Sequence, residues 1–159
     1  MGRNFYRFIY VNQKDTDTMI KQTDFVNENI HQFACLIFSL LEGIEKRYDH
    51  YFQFEEINKI YHHLVIDKII TPTCYVNDHE ALLNHVIISH LGKEDKAKYL
   101  GAFYLPGVDH PSWGTHEGAN HIILQFKTRN FSHFRTINYD PYYPEPTRLY
   151  LMSGRYYRI

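Results

Sequence analysis

Cys35, His121 and Asp140 are three residue types that together perform acyl transfer, and they occur in a usable order. A thiol becomes a strong nucleophile only as the thiolate, which a helix N-terminus or a neighbouring imidazolium favours. The imidazole must be held in one tautomer by an acid or amide, so that it can protonate the leaving amine. The oxyanion formed on the way needs donors, often a backbone N–H together with a side-chain amide. Gln32 and Asn29 stand just ahead of Cys35 and are the candidate amides. Trp113, beside Gly114 in the stretch before His121, reads either as an apolar anchor or as one wall of a substrate cleft.

The elements that must position these side chains follow from the apolar spacing. Ile30, Phe33, Ala34, Ile37, Leu41 and Ile44 fall on one helical stripe, and Gly43 with Glu45-Lys46-Arg47 marks the helix end. Cys35 lies about 140° from the Ile30 direction, off that stripe. A cysteine that only filled the core belongs on the stripe, yet free cysteine often behaves as a small buried hydrophobe, so spacing alone leaves both readings. A second helix is predicted over 54–66 and a third over 79–91, capped by Asn77 or Asp78 and stopped by Gly92.

The pattern changes near residue 98. Strands are predicted over 5–10, 99–105, 121–126, 134–139 and 148–159, with Gly154 as a bend in the last. Alternation puts His121, Ile123 and Gln125 on one face. Pro141 holds Asp140 extended, so an acid closing one strand can stand beside a histidine opening its antiparallel neighbour. Helices followed by strands imply an α+β fold with a mostly antiparallel sheet, in one domain over 1–159, its helical half about 1–95 and its sheet half about 96–159.

Composition narrows the function classes. The 159 residues carry 17 Lys plus Arg against 18 Asp plus Glu, so no single-sign field points to nucleic acid or an anionic membrane. An apolar share of 44% is too high for a disordered chain. Two cysteines exclude a disulfide scaffold and a four-cysteine zinc site; Cys74, after Pro72-Thr73, reads as an inert half-buried thiol. The 11 histidines contain no His-Glu-x-x-His motif, and neither metal nor cofactor is expected. The N-terminus has no signal-peptide core and no run is long enough to span a bilayer, so no membrane insertion and a cytoplasmic location are expected. Arg148 to Arg158 mixes basic and aromatic residues and reads as an ordinary strand.

The stretch Asn29-Ile-His-Gln-Phe-Ala-Cys35-Leu-Ile-Phe-Ser-Leu-Leu41 resembles the nucleophile segment of papain-like cysteine peptidases. It is most similar to the compact bacterial branch that includes the double-glycine-leader peptidases of bacteriocin exporters. Asn120-His121-Ile-Ile-Leu124 and Ile137-Asn-Tyr-Asp140-Pro141 are similar to that branch's histidine strand and Asp-Pro strand end, although Asn120 stands where the family often has glycine. The resemblance implies a papain-like fold with Cys35 as nucleophile, His121 as general base and acid, and Asp140 as the orienting acid. The family's oxyanion glutamine falls about where Asn29 stands, whereas Gln32 is three residues from the cysteine.

The function expected is therefore a cysteine hydrolase that cleaves a peptide or small amide through a thioester. Acyl transfer to an amine uses the same residues. A binding module on the same scaffold, tolerant of Ser or Ala at position 35, is the reading from a different class. A nucleic-acid or saccharide binder using the aromatic sheet is a third.

Overall fold

The structure, a computed structural model, describes residues 7–11, 19–104, 117–127, 132–143 and 147–159. Strand β1 spans Arg7–Val11, followed by helices α1 (Glu28–Phe33), α2 (Cys35–Tyr48), α3 (Phe54–Ile66) and α4 (His79–Asn84). The last of these continues as a π-helical turn, His85–His90. Strands β2 (Lys98–Tyr104), β3 (His121–Lys127), β4 (Ser132–Arg135) and β5 (Thr147–Arg158) complete the chain. Helices followed by an antiparallel sheet make the fold α+β. Among the described residues no helix is long and apolar enough to cross a membrane.

β5 organises the sheet. One of its edges pairs antiparallel with β3, from His121↔Tyr157 to Lys127↔Tyr150. Its other edge pairs first with β1 and then with β2. β4 pairs only with β3, Gln125 facing Phe134, and so forms the far edge of the described sheet.

Helix α2 fills the space between the sheet and the other helices, and every residue from Cys35 to Glu45 is buried. A helix apolar on all sides belongs inside a core. Both of its buried carboxylates accept a hydrogen bond: Glu42 Oε1 from the Thr136 hydroxyl at 2.9 Å and Glu45 Oε2 from the Phe52 amide at 3.2 Å, while Glu42 Oε2 has no hydrogen-bond partner among the described residues. The sheet's opposite face carries a second apolar cluster of Phe103, Leu124, Phe126, Leu151 and Tyr156.

Four expectations shift. The stripe from Ile30 to Ile44 is not one helix: Ala34 (φ −90°, ψ 15°) separates α1 from α2 and makes Cys35 the first residue of the longer helix. Gly43 does not mark the end of α2, which runs to Tyr48 and closes on Asp49 in the left-handed region. Instead Gly43 makes room: a Cβ there would lie 2.6 Å from Ile159 Cδ1 and 2.8 Å from His121 Cδ2. Gly154 is not a bend either, because β5 is continuous there and the Phe103 ring lies where a Cβ would go. The strand predicted over 134–139 begins earlier, at Ser132, and ends at Arg135. After it the chain turns, with the Thr136 amide donating to the Tyr139 carbonyl at 3.0 Å.

Candidate active site

Cys35 opens a 14-residue helix, and its backbone amide and that of Leu36 face its own sulfur. The sulfur rests on the edge of β4. It donates to the Ser132 carbonyl at 4.0 Å and receives the Phe134 amide. Burial is the largest influence and pushes the thiol up, the three amides pull it down, and the Asp140 charge pushes it up again. Burial prevails, and the thiol sits at about 11. The helix N-terminus is in the right place to stabilise a thiolate, but the resting group is the neutral thiol.

Cys35 lines a pocket of about 370 Å³. Gln32, Phe33, Cys74, His79, Gln125, Ser132, Phe134 and Arg155 line it as well. That volume falls within the range that holds a small molecule or one side chain of a peptide (roughly 300–1,000 Å³). Cys74 sits in a tight turn at φ 70°, donates to the Asn29 carbonyl at 3.5 Å, and is pushed by burial to about 12. His79, the first residue of α4, bonds Tyr157 Oη through Nδ1 at 2.7 Å, and burial lowers it to about 4.

The predicted triad does not come together as expected. The His121 ring is buried on the sheet face that meets α2, but further along that helix than Cys35. Its Nε2–H donates to the Ser39 carbonyl at 2.8 Å, and the ring packs against Gly43. Its polar contact is thus one helical turn beyond Cys35, and burial lowers its affinity for a proton. Asp140 is paired with His133 instead: Nε2 lies 3.0 Å from Oδ2, and both side chains are fully buried. The cause is register. β4 ends at Arg135, so the following turn brings Asp140 back to His133 rather than across to the start of β3.

The Asp140 carboxylate is fully occupied. Oδ1 accepts the amides of Tyr142 and Tyr143 at 2.9 Å each, and Arg135 Nη1 lies 3.6 Å from Oδ2. Burial raises this carboxyl, but the hydrogen bond and charge of His133 and the two amides outweigh it, leaving Asp140 below the usual carboxylate range. Asp140 Oδ2 accepts the His133 Nε2–H, so Nδ1 is the ring nitrogen left without a carboxylate. Nδ1 has no hydrogen-bond partner among the described residues. Ser132 and Phe134 line the pocket, whereas His133 and Arg135 lie with Asp140.

Of the candidate amides, Gln32 lies on the pocket with Cys35, whereas the Asn29 side chain lies beside the Tyr61 hydroxyl. Trp113 lies outside the described residues. Sequence reasoning missed His133, because the strand was begun at Phe134. The available signal was its spacing of seven from Asp140. It also missed His79, Gln125 and Arg155, which come from three distant elements and meet only in the fold. Among the described residues no group of His, Cys, Asp and Glu is arranged to hold a metal ion. No family model, no curated protein and no solved structure matches the chain.

Proposed function

We propose that the chain is a cysteine hydrolase of papain-like architecture, cleaving a peptide or small amide with Cys35 as nucleophile. The observation that carries the reading is the position of the sulfur. It stands at the first turn of a long buried helix, ringed by three backbone amides, on a pocket of about 370 Å³. His133, held by Asp140, is the imidazole of this reading; its two neighbours in the chain supply the carbonyl and one amide at the sulfur. The ring must come round the outer edge of β4 to meet the thiol.

The step is a general-base one, because the resting thiol keeps its proton. Sγ attacks the carbonyl carbon as its proton passes to Nδ1 of His133. The tetrahedral oxyanion is stabilised by backbone amides beside the sulfur, with Gln32 available from the rim. The C–N bond breaks as the imidazolium protonates the leaving amine. Water, deprotonated by the same imidazole, then attacks the thioester and releases Cys35. An amine in place of water makes the product a new amide.

The test is labelling by electrophilic peptide probes that report on an active-site thiol, read by mass spectrometry at both cysteines, with turnover of fluorogenic amide libraries alongside. Selective adducts on Cys35, lost in His133→Gln and kept in His121→Gln, support the reading. Labelling of Cys35 no faster than of Cys74, together with no turnover, rejects it.

One observation favours a second reading, a binding module on the same scaffold. Burial keeps the thiol at about 11, and its hydrogen-bond partners are backbone groups. In that case Cys35→Ala leaves ligand binding intact.

A further inference from the structure

We propose that the pocket beside Cys35 recognises a carboxylate, and that Arg155 is the residue that reads it. This deepens the hydrolase reading by naming the chemical class of the bound group, but it rests on the pocket alone. Arg155 comes from the middle of β5, which the register places opposite Ile123 on one side and Ala102 on the other. Its guanidinium carbon lies over the Phe134 ring, 5.0 Å from the ring centre, a cation–π contact. Nη1 donates to Gln125 Oε1 at 3.0 Å and to Ser153 Oγ at 2.8 Å, and Ser153 in turn donates to Gln125 Oε1 at 2.6 Å.

These contacts fix one corner of the fork and leave the rest unused. Nε and Nη2 carry three N–H groups, and none of them has a partner among the described residues. A planar pair of donors, on a guanidinium held by a cation–π contact and by two hydrogen bonds, matches the two oxygens of a carboxylate. The charges on the pocket agree. Among the described residues Arg155 is the only charged one on the pocket: no described Asp or Glu lines it, and His79 is held neutral by burial and by the nearby Arg155. An arginine without a carboxylate partner among the described residues, on a pocket of about 370 Å³, is set to bind an anion from outside. The remaining lining supplies apolar contact through Phe33, Leu36 and Val76. The group it fits is an organic carboxylate with a short apolar body. Its two sources are an acidic side chain of a peptide and a free C-terminal carboxylate.

The experiment uses full-length Cys35→Ser protein, so that binding is read without turnover. Calorimetric titrations compare N-acetyl-glutamate α-amide and N-acetyl-alanine with their neutral counterparts, N-acetyl-glutamine amide and N-acetyl-alanine amide. The expected result is that one acid binds on the order of tenfold or more better than its amide, since a charge-assisted pair contributes roughly 1.5–3 kcal/mol. Which acid binds identifies the source. Arg155→Met should erase the preference, and Arg155→Lys should keep only part of it, because the bidentate geometry is lost. Equal binding of acid and amide, a preference that survives Arg155→Met, or no binding of either acid overturns the proposal. If Arg155→Met does not fold, the acid-against-amide comparison on the intact pocket decides by itself. A carboxylate preference without amide turnover leaves this inference standing and removes the hydrolase reading. Turnover without the preference does the reverse.

Discussion

Replacing Gly43 with alanine tests the packing of His121 through the sign of the effect. At an ordinary helix-interior site, Gly→Ala stabilises by about 1 kcal/mol, because alanine restricts the unfolded backbone and favours the helix. Here the new methyl would lie 2.6 Å from Ile159 Cδ1, and 2.8 and 2.9 Å from two carbons of the His121 ring. Overpacking of that kind costs about 1–3 kcal/mol. The imidazole has to move, and its bond to the Ser39 carbonyl is lost in a fully buried place. Leaving such groups unpaired adds about 1–3 kcal/mol. Subtracting the helix gain leaves a net loss of about 1–5 kcal/mol. Urea denaturation followed by circular dichroism reads it as a lower midpoint at unchanged slope. A Gly43→Ala protein as stable as the parent, or more stable, would show that the His121 ring is not seated against α2. It would reopen His121 as the partner of Cys35.

Alkylation of the native protein with iodoacetamide should be slow at both cysteines. A thiol at about 11 in place of 9.0 has on the order of 100-fold less thiolate at neutral pH, and Cys74 at about 12 has less still. Peptide mass spectrometry in buffer and in urea checks this, and equal rates in the two would contradict the burial. His79 makes stability depend on pH. It binds its proton near 4 in the folded protein but near 6.5 when unfolded, so the unfolded chain gains protons first on acidification. Its contribution is complete above about pH 6.5 and is lost on going down to about 4, on the order of 1–2 kcal/mol once solvent screening is allowed for. His79→Gln should flatten that part of the urea-midpoint profile, and an unchanged slope would count against the placement of the ring. Asp140→Asn should cost about 3–5 kcal/mol, because it strips the counter-charge from fully buried Arg135 and puts an NH2 group where a carboxylate oxygen accepts from His133 or from the Tyr142 and Tyr143 amides. A loss below about 1 kcal/mol in the same assay would mean that the buried pair does not hold the turn after β4.

The order of elements was legible because local rules govern it. Helix α3 is where Ile57, Ile60, Tyr61 and Leu64 place it, and Asp78 caps α4 by accepting from the Ala81 amide at 2.9 Å. Period-3.6 and period-2 patterns report which face of an element is dry. The break at Ala34 was not legible. It carries neither proline nor glycine, and the apolar stripe runs straight through it. Just past it, Cys35 meets the edge of β4 at Ser132, 97 positions away in the chain.

Residue types and their order along the chain determined the helices, the antiparallel strands and the presence of a thiol on the first long helix. The tertiary structure decided what that thiol faces. Where β4 stops set whether Asp140 would meet His121 or His133, and the difference is a few residues of register. Register is chosen by the packing of whole faces against α2 and β5, which no local spacing encodes. The pocket was decided in the same way. Gln125, Arg155 and His79 lie on three separate elements, and only the tertiary fold brings them to one pocket with Cys35.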